Sequence, residues 1–281
     1  MPIQVVALGD ALGAEIRGVD LSQPVAPQTF AAIHDAWMQH EVLVFRGQTM
    51  TPGQQIAFTR LFGELVVYTR SENALPGNAE VLVLSNVVEN GRRTGAAISG
   101  RYWHVDGHFL ESPPAGTLLY AREVPLEGGD TWFTSMTAAY AALPDGLKDR
   151  IAGRRFLMSR IQSLPYHYPE RPPPTDEQRR QWPDVPQLLV RTHPGNGRKA
   201  LFFGGIVPWR IVGMAEDESN ALMAELHERT FQERFMYVHR WQTGDVLLWD
   251  NRATAHRATG FDMAAHRRTM HRTSIAGDVP F

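Results

Sequence analysis

Arg101-Tyr102-Trp103-His104-Val105-Asp106-Gly107-His108-Phe109 sets an imidazole and a carboxylate two residues apart inside an aromatic, apolar segment. On a β-strand alternate side chains share a face, so the stretch predicts a strand from which His104 and Asp106 project together. Two metal ligands from one strand call for a third from elsewhere, as when distant strands of a β fold face each other. The triplet alone is weakly specific, because a buried His–Asp pair serves equally well as a hydrogen-bonded core element. His108 shares the face if the strand continues, so spacing leaves it open as a ligand.

Upstream, residues 3–7 read as a short strand, and Gly9, Gly13 and Gly18 mark a turn-rich segment ending near Asp20. Phe30, Ile33, Ala36 and Trp37 recur at helical spacing and predict an amphipathic helix over 27–40. Val42-Leu43-Val44-Phe45 is a buried strand closed by Arg46-Gly47. Thr51-Pro52 has the form of an N-cap followed by proline in the first helical position, and that helix stops at Gly63. Val81-Leu82-Val83-Leu84-Ser85-Asn86-Val87 is another strand. The polar, glycine-bearing stretch 89–100 is a loop leading into the His-x-Asp strand, placed where a lid would sit.

Downstream, Thr117-Leu118-Leu119-Tyr120-Ala121 and Thr131-Trp132-Phe133 are strands, and a helix follows from about Met136 to Ala142. Residues from about 162 to 186 are dense in proline and charge and read as a surface insertion with one short helix after Thr175. Two short strands flanking Gly195-Asn196-Gly197 form a hairpin. A helix is expected over 216–232, then strands near 236–241 and 246–249, a loop, and a last strand over 268–275. Many short strands between Gly and Pro turns, with few helices, point to a mainly β fold with helical insertions, a β-sandwich or jelly roll.

Trp249-Asp250-Asn251-Arg252-Ala253-Thr254-Ala255-His256 supplies the natural third ligand, His256, about 150 residues beyond Asp106. Two histidines and one carboxylate form a facial set that leaves positions open on the metal, as in non-haem Fe(II) oxygenases. In Arg267-Arg268-Thr269-Met270-His271-Arg272 a strand places Arg268, Met270 and Arg272 on one face. Two guanidinium groups beside a dication fit a carboxylate or sulfonate through paired hydrogen bonds.

The chain has 281 residues and no cysteine, which removes disulfides, thiolate ligands and cysteine nucleophiles. A formal net charge of −2 gives no general attraction to nucleic acid or to an anionic membrane. No stretch approaches the ~20 apolar residues of a membrane span. The N-terminus lacks the basic start and apolar run of a signal peptide. The expectation is a soluble, cytoplasmic enzyme forming a single domain over 1–281.

In order, Trp103-His104-Val105-Asp106, Gly128-Gly129-Asp130-Thr131, Gly244-Asp245 through Trp249-Asp250-Asn251-Arg252 to His256, and Arg267 to Arg272 carry a family likeness. Pro113-Pro114-Ala115-Gly116 and Gly13 to Asp20 add to it. The chain resembles the taurine dioxygenase and 2,4-dichlorophenoxyacetate dioxygenase family of Fe(II)- and 2-oxoglutarate-dependent oxygenases. The resemblance implies a double-stranded β-helix core, Fe(II) on His104, Asp106 and His256, 2-oxoglutarate as cosubstrate and dioxygen as oxidant. It further implies that Thr131 and Arg268 bind the distal carboxylate of 2-oxoglutarate, that Gly100 lies near the cosubstrate, and that Arg272 meets an anionic group on the substrate. Resemblance places His108 outside the triad. One departure concerns the substrate: where the taurine enzymes have a sulfonate-binding histidine, this chain has Tyr68.

The expected reaction is oxidation of a C–H bond in a small anionic organic molecule, carboxylate or sulfonate/sulfate, with release of succinate and carbon dioxide. Two rivals remain at this point. The same triad holding zinc would run hydrolysis through a metal-bound water, and a non-catalytic scaffold would simply bind a small anion. The family likeness makes a homo-oligomer, dimer or tetramer, an expectation too.

Overall fold

Val42–Phe45, Val246–Asp250, Gly116–Glu123 and Thr269–Ile275 lie side by side as the centre of the larger sheet in the chain, although they come from widely separated parts of the sequence. The structure, a computed structural model, describes residues 3–67, 72–97, 100–169, 172–205 and 210–281. Among the described residues this sheet has eight strands, in the order Gln4–Ala7, Ala14–Arg17, Val42–Phe45, Val246–Asp250, Gly116–Glu123, Thr269–Ile275, Asn78–Ser85 and Ala74–Leu75. Its pairings are antiparallel except that Ala14–Arg17 runs parallel to Val42–Phe45. A second sheet has Thr131–Ser135 between Met236–His239 and Thr254–Ala258.

The continuous apolar runs of the central strands follow from burial on both faces. Leu43, Phe45, Leu118, Tyr120, Val246 and Leu248 turn toward Ile33 and Trp37 of the Pro27–His40 helix and Phe58 of the Pro52–Arg60 helix. Their alternates, Val42, Val44, Leu119, Ala121, Leu247 and Trp249, turn the other way and pack with Met270 and with Phe133 of the smaller sheet. A third core lies beyond that smaller sheet, where Ala255 and Phe203 pack with Leu222 and Leu226 of the Glu216–Thr230 helix. The molecule is thus mostly β with helices against both sheets.

The expected start of the Pro52–Arg60 helix is realised in full: Thr51 accepts from Gln54 N, and the Gln54 side chain reaches back in a capping box. Four expectations change. The turn-rich segment after Gly9 contains the Ala14–Arg17 strand. The expected loop after Trp249 contains the Thr254–Ala258 strand. The proline-rich insertion holds a second helix, Arg160–His167, besides Asp176–Gln181. The His-x-Asp strand is reduced to one bridge: His104 and His256 exchange backbone hydrogen bonds at 2.9 Å in each direction, and the chain turns at Asp106.

After the Thr269–Ile275 strand the chain passes 113–115 at very close range. A Cβ on Gly277 would lie 2.7 Å from Ala115 N and closer still to Pro113 O, both backbone atoms. Gly277→Ala is therefore expected to lower stability by about 1–3 kcal/mol or more, read as a fall in Tm and in the denaturation midpoint.

Candidate metal centre

Two elements bring the ligands together. Thr254–Ala258 presents Ala255 to the outer core and, by strand alternation, His256 to the space between the sheets, against Phe133 and Trp249. The single bridge then sets His104 beside His256, with ring centroids 4.2 Å apart. Gly107, with φ of 63°, takes the left-handed conformation in the turn that follows, so Asp106 curls back toward both rings.

The candidate donor atoms of His104, Asp106 and His256 all lie within 4.8 Å of one another. His104 Nε2 and His256 Nε2 stand 3.7 Å and 3.9 Å from the same oxygen, Asp106 Oδ1. His104 Nδ1 is 2.8 Å from the Tyr102 carbonyl, so it carries the proton and leaves the Nε2 lone pair facing the cluster. Burial pushes both imidazoles down from the ordinary histidine range, His256 most strongly. Burial alone would raise the Asp106 carboxyl, but Arg272, His256, His104 and the Thr117 hydrogen bond together hold it well below the usual carboxylate range. Neutral imidazoles and an ionised carboxylate are the states a metal requires of its ligands.

Around the cluster two cavities meet. The inner one is lined by Thr131, Arg268, Leu119, Trp249 and Ala258, the outer one by Tyr102, Phe109, Arg160, Leu164, Tyr168 and Gly277. Gly100, His104, Asp106 and Arg272 line both. The outer cavity measures about 680 Å³, within the ordinary range for a small organic ligand.

Arg268 and Thr131 carry the polarity of the inner cavity. Arg268 is half-buried, with its Nε enclosed and without a hydrogen-bond partner among the described residues. Burial pushes the guanidinium down to about 10. Thr131 Oγ1 accepts from Trp241 Nε1 at 2.9 Å, which leaves the hydroxyl proton to donate. Arg272 stands 3.2 Å from Asp106 Oδ1 and donates from Nε to Ser274 Oγ.

Gly100, with φ of 67°, donates its N–H to the Tyr168 hydroxyl, and a Cβ there would lie 2.8 Å from His104 Cε1. Gly100→Ala is expected to weaken Mn(II) binding about tenfold or more by displacing the His104 ring, a loss that calorimetric titration would register.

Of the other expected residues, Tyr68 lies outside the described residues. His108 stays out of the cluster: its Nδ1 accepts from Val105 N, and burial pushes its ring down to about 3. The buried His193 and His239 pair with Asp250 and Asp245. Sequence reasoning missed the wall of the outer cavity, since Arg160, Ser163 and Leu164 come from the helix inside the insertion. It also assigned no role to Thr117, whose hydroxyl donates to Asp106 Oδ2 at 2.7 Å; a threonine at the head of an apolar strand carries no signal of its own.

Comparison with known proteins agrees with this geometry. The family model described as taurine catabolism dioxygenase TauD, TfdA family, matches residues 4–274. The alpha-ketoglutarate-dependent 2,4-dichlorophenoxyacetate dioxygenase of Cupriavidus pinatubonensis is 35% identical, covering 98% of each chain. An alpha-ketoglutarate-dependent sulfate ester dioxygenase of Pseudomonas putida is 32% identical over 100% of this chain and 91% of its own. The solved structure of AAD-2 in complex with Mn(II) and N-oxalylglycine superposes with a TM-score of 0.83 at 32% identity, covering 100% of this chain and 99% of that one. A family model matched over nearly the whole length and a relative this similar lead to one conclusion: the chain belongs to the TauD/TfdA dioxygenase family.

Proposed function

We propose that this protein is an Fe(II)- and 2-oxoglutarate-dependent dioxygenase that oxidises a C–H bond of a small anionic organic substrate. The observation that carries the reading is the pairing of a His–Asp–His cluster with Arg268, a guanidinium whose buried Nε lacks a partner in the adjoining cavity. An enclosed guanidinium nitrogen of this kind is costly unless an anion meets it, and a dicarboxylate spanning from the metal to Arg268 and Thr131 supplies that anion. The donor set fits the metal as well, since nitrogen and oxygen ligands on one side leave the opposite side open.

In this reading His104, Asp106 and His256 hold Fe(II). Arg268 receives the distal carboxylate of 2-oxoglutarate, with Thr131 donating its hydroxyl proton to the same group. Bound together, the metal, 2-oxoglutarate and dioxygen supply an oxidative decarboxylation that releases succinate and carbon dioxide and oxidises a C–H bond. Arg272, at the junction of the two cavities, orients the substrate's anionic group, which sets the target carbon against the metal. Trp249 and Phe133 wall the His256 side and keep water from it.

The named relatives act on an aryloxy acid and on sulfate esters, which supports a carboxylate or sulfate/sulfonate substrate in the outer cavity. The wider reading is a single dioxygenase domain over 1–281 with a double-stranded β-helix core, working in the cytoplasm as a dimer or tetramer. The two facing sheets support the β-helix, and no helix among the described residues is long and apolar enough to cross a membrane. The test is succinate release with Fe(II), 2-oxoglutarate and a panel of sulfonates, sulfate esters and aryloxy acids. Stimulation by at least one anionic class is expected; dependence on neutral compounds alone overturns the substrate assignment.

A further inference from the structure

Asp106 ends a chain of hydrogen bonds whose direction is forced at both ends. The indole Nε1 of Trp249 can only donate, and it stands 3.0 Å from Asn251 Oδ1. That contact settles which end of the Asn251 amide is oxygen, so its Nδ2 faces Thr117 Oγ1 at 3.1 Å and donates to it. Thr117 Oγ1 has one proton, and it goes to Asp106 Oδ2 at 2.7 Å, an ionised carboxylate that can only accept. Trp249, Asn251, Thr117 and Asp106 are each at most 4% exposed, so water does not compete for these bonds.

The placement of the chain gives it a consequence. Asn251 sits in the turn between Val246–Asp250 and Thr254–Ala258, and its backbone N donates to the Ala115 carbonyl. The turn that launches the His256 strand therefore also orients the carboxylate, through Thr117 of the larger sheet. With Oδ2 engaged by Thr117, Oδ1 is the oxygen that faces both histidine Nε2 atoms.

We infer that the Trp249–Asn251–Thr117 relay fixes the orientation of the Asp106 carboxylate, with Oδ1 toward the two imidazoles, so that Thr117 and Asn251 are positioning residues for the metal centre. A carboxylate without the Thr117 bond would be free to turn Oδ1 away from the imidazoles, and the metal would lose part of its preorganised donor set. This inference rests on the reading that His104, Asp106 and His256 hold the metal.

The test uses Mn(II) as probe, with calorimetric affinity and Tm as readouts that need no turnover. Thr117→Val, which keeps shape and removes the donor, is expected to weaken Mn(II) binding about 10–100-fold, while Thr117→Ser retains wild-type affinity. Asn251→Leu is expected to weaken it in the same direction by freeing the Thr117 hydroxyl to rotate. Wild-type affinity in a folded Thr117→Val protein overturns the inference.

A crystal structure of the wild-type Mn(II) form decides the matter even if those variants fail to fold. Asp106 Oδ1 on the metal, with Oδ2 still on Thr117, is the expected result; an Asp106 turned so that Oδ2 has left Thr117 overturns the relay's role. Failure of the wild type to bind Mn(II), or undiminished binding by Asp106→Ala, would instead remove the underlying metal-site reading.

Discussion

Asp106→Ala is expected to abolish turnover, with succinate release falling by at least about 10³-fold, beyond the 10–100-fold typical of losing a residue that only supports a ligand. Three effects converge on the same oxygen atoms. The metal loses the only anionic donor in its set, and the two neutral imidazoles that remain make a much weaker site. Thr117 loses the acceptor for its buried proton, and Arg272 loses the carboxylate 3.2 Å from its guanidinium. The last effect gives the variant a distinctive signature. Arg272 remains in the wall of the outer cavity, so an anionic substrate analogue should still bind while metal and turnover are lost. A non-catalytic anion-binding scaffold would show binding in both proteins and turnover in neither. Equilibrium dialysis of Mn(II) alongside the succinate assay separates these outcomes.

Arg268→Met is expected to separate cosubstrate binding from stability. Its buried Nε has no partner among the described residues, and burial pushes the guanidinium down to about 10, so the charge is a cost to the protein on its own. Replacing it with an apolar side chain of similar length should leave the Tm unchanged or raised when no 2-oxoglutarate is present. The dicarboxylate, in contrast, loses its charge partner. Truncating one side of a buried charge pair costs about 2–5 kcal/mol, or roughly a 30-fold to several-thousand-fold rise in the Kd for 2-oxoglutarate. The stabilisation that saturating 2-oxoglutarate confers on the wild type should shrink accordingly. A lowered Tm with unchanged cosubstrate affinity would make Arg268 a structural residue and leave the inner cavity without its ligand.

The parts of this arrangement that were legible in the sequence are those where a local pattern and its tertiary use coincide. The central strands are buried on both faces, so their apolar runs announce them; Val42–Phe45 appears with the expected bounds. His104, Asp106, Thr131, His256, Arg268 and Arg272 all line one cavity. What the sequence hid are elements whose composition serves something other than the core. Thr254–Ala258 reads as a loop because its alternate positions carry His256 and a polar neighbour instead of a clean apolar stripe. Ala14–Arg17 is four residues next to the edge strand of the sheet, bounded by glycines that suggest turns. The Arg160–His167 helix contains Pro165, which argues against a helix, yet Ser159 caps its start by accepting from Gln162 N.

The His-x-Asp segment shows the limit of periodicity most clearly. Alternation on a strand put His104 and Asp106 side by side, as the structure does, but through a conformation the chain adopts at only one residue. The pairing is set by the bridge to His256 and by the turn at Gly107, neither of which leaves a period in the sequence. Long-range geometry of that kind is carried by register between distant strands, here the alignment of His256 opposite Phe133 in the smaller sheet.

The most direct test of the dioxygenase reading is an anaerobic titration of the protein with Fe(II) and 2-oxoglutarate, following the weak visible charge-transfer band of the chelate. The wild type should develop the band at one equivalent of metal, and Arg268→Met should require far more 2-oxoglutarate to reach it. Absence of the band from wild-type protein with Fe(II) demonstrably bound would contradict the account and return the cluster to hydrolytic chemistry.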